Sequence, residues 1–149
     1  QETTLFLERW LILGLFLIIE SNFKYLSSCI RAHIERYPNA HTGLNTLETN
    51  ILKLIKNHRI TSENQLCGYV LNYQGYYGYG DVQIFKIIDQ LRLFFYQDDD
   101  GTIKLSAKGN MALDGTQNFY RDLKTDFFMG GTHKYDFLYN PESHQLLKL

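Results

Sequence analysis

With 149 residues, 44% of them hydrophobic, the chain is long enough for one globular domain with a buried core. Fifteen lysines and arginines against sixteen aspartates and glutamates leave a net charge of −1, which excludes a global pull toward nucleic acid or anionic lipid. Two prolines, 21% charged residues and 15% aromatics exclude disorder and collagen-like repetition.

The chain opens at Gln1 without a methionine, which reads as an excised domain or a processed product of a longer protein. Residues 10–19 (WLILGLFLII) form an apolar run about half as long as the ~20 residues a spanning helix needs. Neither a basic start nor a small-residue cleavage site marks a signal peptide. The run is expected to be a buried helix, with no membrane contact. Beyond Ser21-Asn22, the residues Phe23, Leu26, Ile30 and Ile34 recur on one helical face, and Pro38 with the polar residues 39–43 ends the helical segment 1–38.

A second helix is expected from Asn45, with Glu48 in the capping-box position. Its inner face is Leu47, Ile51, Leu54 and Ile55, and its outer face holds Lys53, Lys56 and His58. Ser62 and Gln65 mark the start of a third helix carrying Leu66 and Val70. A Gly/Tyr loop follows, and Asp81 is expected to cap a helix with Ile84, Phe85, Ile88 and Leu91 inside. The period then changes: residues 93–96 and 102–105 are β-prone and flank Asp100-Gly101, a hairpin signal. Ser106 caps a last short helix through Leu113, closed by Asp114-Gly115. Residues 134–139 and 145–149 flank a turn and predict a second hairpin.

The expected fold is α+β and mostly α-helical. A winged-helix-like core over 44–115, helices followed by a β-hairpin wing, lies between the N-terminal helical segment and a C-terminal β extension over 119–149. All three belong to a single domain, 1–149. The two cysteines, Cys29 and Cys67, form no disulfide framework and point to a reducing, cytoplasmic compartment.

Several short motifs occur in order: Arg36-Tyr-Pro, Gly43-Leu, Glu48, Gly80-Asp81, Lys104-Leu-Ser-Ala-Lys-Gly109 with Leu113 and Gly115, Gly130-Gly131, and Tyr135-Asp136. In this the chain resembles the C-terminal half of bacterial proteins whose N-terminal half is called domain of unknown function 1835. The resemblance spans residues 36–136, with Tyr135 standing where that family usually has tryptophan. It carries no established activity. It implies a C-terminal module of a two-part cytoplasmic bacterial protein.

The wing argues against ordinary DNA binding. From residue 81 to 100, five aspartates face one lysine and one arginine, and Asp98-Asp99-Asp100 occupy the wing tip. Consecutive aspartates in a turn diverge, so they form a solvated turn and not a cation site. Basic residues gather instead at Lys53, Lys56 and Arg59, the candidate nucleic-acid contact. Residues 68–80 hold five tyrosines among glycines, and of these Tyr73, Tyr76, Tyr77 and Tyr79 are candidates for binding a ligand or partner, against the alternative that they cap the core. Arg121, Asp126, His133 and Asp136 surround Gly130-Gly131, the one region with mixed chemistry, but no nucleophile elbow or metal-ligand spacing accompanies them. Neither a catalytic residue nor a cofactor nor a metal is expected. The leading expectation is a non-enzymatic protein-interaction domain whose partner is another protein or its own N-terminal half. The alternatives are a nucleic-acid-binding transcriptional regulator, which the charge disfavours, and an accessory domain of an enzyme whose site lies upstream.

Overall fold

A computed structural model describes residues 25–149, in an α+β arrangement of six helices and three two-stranded antiparallel hairpins among the described residues. The apolar run 10–19 and Phe23 lie outside the described residues. The chain divides into two compact units, Gln1–His33 and Ile34–Leu149. Of the first, helix α1 (Leu26–Ile34) is described, with Arg31 and His33 in its last turn. None of the described helices is long and apolar enough to cross a membrane.

The second unit begins with α2 (Thr46–Asn57). Asn45 caps it as its sequence position suggests: its side chain accepts from the Glu48 amide, and Glu48 accepts from the Asn45 amide at 2.8 Å. Leu47, Ile51 and Ile55 are buried, so the apolar stripe faces inward. Helix α3 (Glu63–Tyr73) starts where Ser62 accepts from the Gln65 amide, and it buries Leu66, Cys67 and Val70. Helix α4 (Asp81–Gln90) buries Ile84 and Ile88. Its cap is Gly80 and not Asp81, because the Gln83 side chain reaches back to the Gly80 amide and Asp81 already has helical geometry.

Residues Arg92–Phe94 form a single 3₁₀ turn, which takes Leu93 and Phe94 out of the expected strand. Strands β1 (Phe95–Gln97) and β2 (Ile103–Leu105) then pair antiparallel, Tyr96 opposite Lys104. Ile60, between α2 and α3, adds an antiparallel bridge to Ile103, its carbonyl accepting the Ile103 amide at 2.7 Å. Helix α5 (Ala107–Asp114) is capped by Ser106 and ends at Gly115. A four-residue helix α6 (Tyr120–Leu123) and a small hairpin, β3 (Phe128–Met129) with β4 (Thr132–His133), follow. Strands β5 (Phe137–Asn140) and β6 (Gln145–Lys148) make the expected C-terminal hairpin.

The core lies where α2, α3, α4 and the 3₁₀ turn converge, around Ile51, Leu52, Leu66, Ile84, Ile88 and Phe94. The C-terminal segment is sewn to residues 37–44. Tyr139 donates its amide to the Pro38 carbonyl and accepts from the Ala40 amide, and Phe119 donates to the Thr42 carbonyl. Gly43 lies under α6 with φ of +79°, and a Cβ there would run into the Tyr120 backbone.

Candidate functional site

The Gly/Tyr segment is a tied-down turn. After α3 ends, Gly75–Tyr77 form a 3₁₀ turn, and the Gln74 side chain both accepts from the Tyr79 amide and donates to the Tyr79 carbonyl. The two residues just after α1 hold the turn from the other side. Glu35 accepts the hydroxyls of Tyr76 at 2.9 Å and Tyr77 at 2.5 Å, and Arg36 donates to the Tyr77 carbonyl. The Arg36 guanidinium also lies over the Tyr79 ring, 5.0 Å from its centre. Burial, then the Glu35 carboxylate, pushes the Tyr77 hydroxyl well above the usual tyrosine range, so it stays a hydrogen-bond donor.

The four tyrosines singled out in the sequence therefore separate. Tyr77 is 7% exposed and belongs to the core, and Tyr79 is half-buried under Arg36. Tyr73 and Tyr76 are 62% and 55% exposed and present their rings outward. Tyr69 and Tyr73, one helical turn apart, stack with ring centres 6.4 Å apart. His58 completes the stack, 4.8 Å from Tyr69, which draws it off the outer face of α2 where its position in the sequence had suggested it lay.

A groove of about 190 Å³ runs between α2 and α3 beside this stack. Leu47, Leu54 and Val70 supply apolar wall, while Lys53, Tyr73 and Gln74 are among the polar lining. One member of the basic cluster and one of the tyrosine set thus meet at one place. Lys56 is exposed on the same helix, three residues on. Arg59 goes elsewhere: it lies past the end of α2, and its guanidinium faces Asp100 of the wing at 4.0 Å.

The wing tip is less bare than its sequence. Lys104 pairs with Asp98, which holds that carboxyl below the usual range, aided by the Asp99 amide. Asp100 accepts from the Thr102 amide, and exposed Asp99 has no ion pair among the described residues. On α4, Arg92 just beyond the helix end pairs with Glu63 at 2.6 Å and with Asp89. The face made by α4 and the wing therefore pairs its few cations with carboxylates and keeps an excess of aspartates, with no surplus of cations.

In the C-terminal third, Asp126 and His133 do meet, Oδ1 to Nδ1 at 2.9 Å, with Phe128 packed 3.9 Å from the imidazole. Both side chains sit on open surface, His133 on the small hairpin whose turn is Gly130-Gly131. Among the described residues, no group of three or more His, Cys, Asp or Glu is placed to hold a metal. A buried pairing involves the next residue, Lys134. Lys134 donates to Glu48 at 2.8 Å, the two being 7% and 2% exposed. Burial pulls the Lys134 ammonium down, but Glu48 and Tyr135 outweigh it and hold its pKa above the ordinary lysine value. The signal that could have found it was Glu48 itself, an acidic residue between the inward-facing Leu47 and Ile51. Comparison with known proteins finds no family model, no curated protein and no solved structure that matches this chain.

Proposed function

We propose that this chain is a winged-helix-like, non-enzymatic interaction module that holds a protein partner, within a cytoplasmic bacterial protein. Three helices in succession, a β-hairpin, and a one-residue strand at Ile60 added to that hairpin support the winged-helix-like reading of 44–115. Two free cysteines, one exposed and one buried, fit a reducing compartment.

One observation carries the functional reading. Exposed Tyr76 is held through its hydroxyl by Glu35 on a turn that Gln74 and Arg36 fix, and exposed Tyr73 is stacked on Tyr69. Rings already held in place lose little freedom on binding, and aromatics of this kind are enriched in protein interfaces. The α4 and wing face, with its excess of aspartates, offers no cationic surplus for phosphate, which supports protein contact over duplex contact.

Nucleic-acid binding is the second reading, favoured by Lys53 beside the Tyr73–Tyr69–His58 stack, since bases stack on such rings. Fluorescence anisotropy with mixed duplex and single-stranded DNA, titrated with salt, separates the two. No saturable binding at low salt is expected. Micromolar binding that falls steeply with salt, and vanishes when Lys53, Lys56 and Arg59 are changed to Glu, would replace the module with a nucleic-acid regulator.

A further inference from the structure

The α2–α3 groove narrows the class of partner. At about 190 Å³ it is smaller than the roughly 300–1,000 Å³ of typical small-molecule and cofactor sites, which leaves room for one large side chain. Its apolar wall asks for an aliphatic or aromatic anchor. Lys53 is the one ionised side chain in its lining, and Lys56 stands beside it on α2. Neither lysine forms an ion pair among the described residues. The carboxylates on the neighbouring backbone are already occupied: Glu48 points inward to Lys134, and Glu35 accepts two tyrosyl hydroxyls. The complement to this rim is therefore an anion supplied from outside.

We propose that the groove receives a short acidic peptide segment of a protein partner, one apolar side chain inserted between α2 and α3 and an Asp or Glu beside it meeting Lys53. This rests on the interaction reading above and specifies the chemistry of its partner. A groove with an apolar wall and a charged rim recognises peptides in that way, the wall giving affinity and the rim giving selectivity.

The test is selection of random linear peptides displayed on phage against the immobilised chain, followed by anisotropy of the enriched peptides. The enriched set is expected to share one large apolar residue flanked by Asp or Glu. Binding should weaken at least about tenfold in Tyr73→Ser, and Lys53→Glu should turn the preference toward Lys- and Arg-flanked peptides. Both positions are exposed, so matching circular dichroism spectra check that the fold is kept. Enriched peptides that lack the acidic flank, or that bind Tyr73→Ser undiminished, would overturn the groove while leaving a protein-contact module elsewhere on the surface. No enrichment at all would overturn the groove as well. If DNA binding were then lost on Lys53→Glu, the interaction reading would fall with it.

Discussion

Lys134 and Glu48 join two parts of the chain 86 positions apart, and neither is exposed enough for water to replace the partner. Removing one member leaves the other a buried, uncompensated charge, at a cost of about 3–5 kcal/mol. Lys134→Met should therefore lower the denaturant midpoint by that equivalent, and Lys134→Met combined with Glu48→Leu should recover part of the loss. The folded pKa of Lys134 lies above its unfolded value. Its contribution is thus complete below about pH 10.4 and disappears as the pH climbs from there through the folded pKa. Urea unfolding at pH 8 through 11 should reveal a steeper decline in the wild type than in Lys134→Met, where the raised Tyr77 hydroxyl still contributes a loss of its own. The tyrosines divide by the same logic of burial. Tyr77→Ser removes a buried ring and its bond to Glu35, about 3–5 kcal/mol, whereas Tyr73→Ser should stay within about 0.5 kcal/mol. Equal losses at the two positions would sink the separation of core from contact residues.

At the level of elements, what was legible in the sequence was local. The Asn45–Glu48 box and the Ser62–Gln65 cap span three residues each, and both form as their spacing suggests. The inward stripes of α2 and α4 follow the 3.6-residue period, so Ile51→Ala and Ile88→Ala, both at fully enclosed positions, should each cost about 2–5 kcal/mol in denaturant unfolding. The illegible pieces are too short to carry a period: one residue at Ile60, two-residue strands at 128–129 and 132–133, a four-residue helix. Likewise, the groove joins Lys53 and Tyr73 through packing of α2 on α3, which no spacing within either helix announces. Gly109 illustrates a tertiary contact overriding a local preference. Alanine in mid-helix is worth about 1 kcal/mol over glycine. Here, however, a Cβ would overlap the Phe94 carbonyl oxygen, which accepts from the Ser106 amide. Overpacking of about 1–3 kcal/mol should win, making Gly109→Ala a destabilising change. A gain in stability would mean that α5 can slide off the 3₁₀ turn.

Over the whole described chain, the C-terminal extension is integral to the unit Ile34–Leu149, because its bonds run to the first residues of that unit. Asn39 and Tyr139 form a parallel bridge, and Tyr139 exchanges amide and carbonyl bonds with Pro38 and Ala40. Phe137 meets the Tyr37 ring edge-on at 5.6 Å, and Tyr139 is itself buried. Those contacts brace residues 37–44, the loop that delivers Asn45 to the head of α2. A change in the last strands therefore reaches the capping box and, through Glu48, the Lys134 pair. Tyr139→Ala should behave as a core truncation, about 3–5 kcal/mol, although it sits within eleven residues of the end. For a unit of this size that corresponds to a fall in Tm of about 10 °C or more. Scanning calorimetry distinguishes an interlocked unit from an appendage: the endotherm of Ile34–Leu149 should move as a single transition in the variant. A separate low-temperature transition, with the main one unmoved, would mean that β5 and β6 melt alone and that the loop before α2 holds its shape without them.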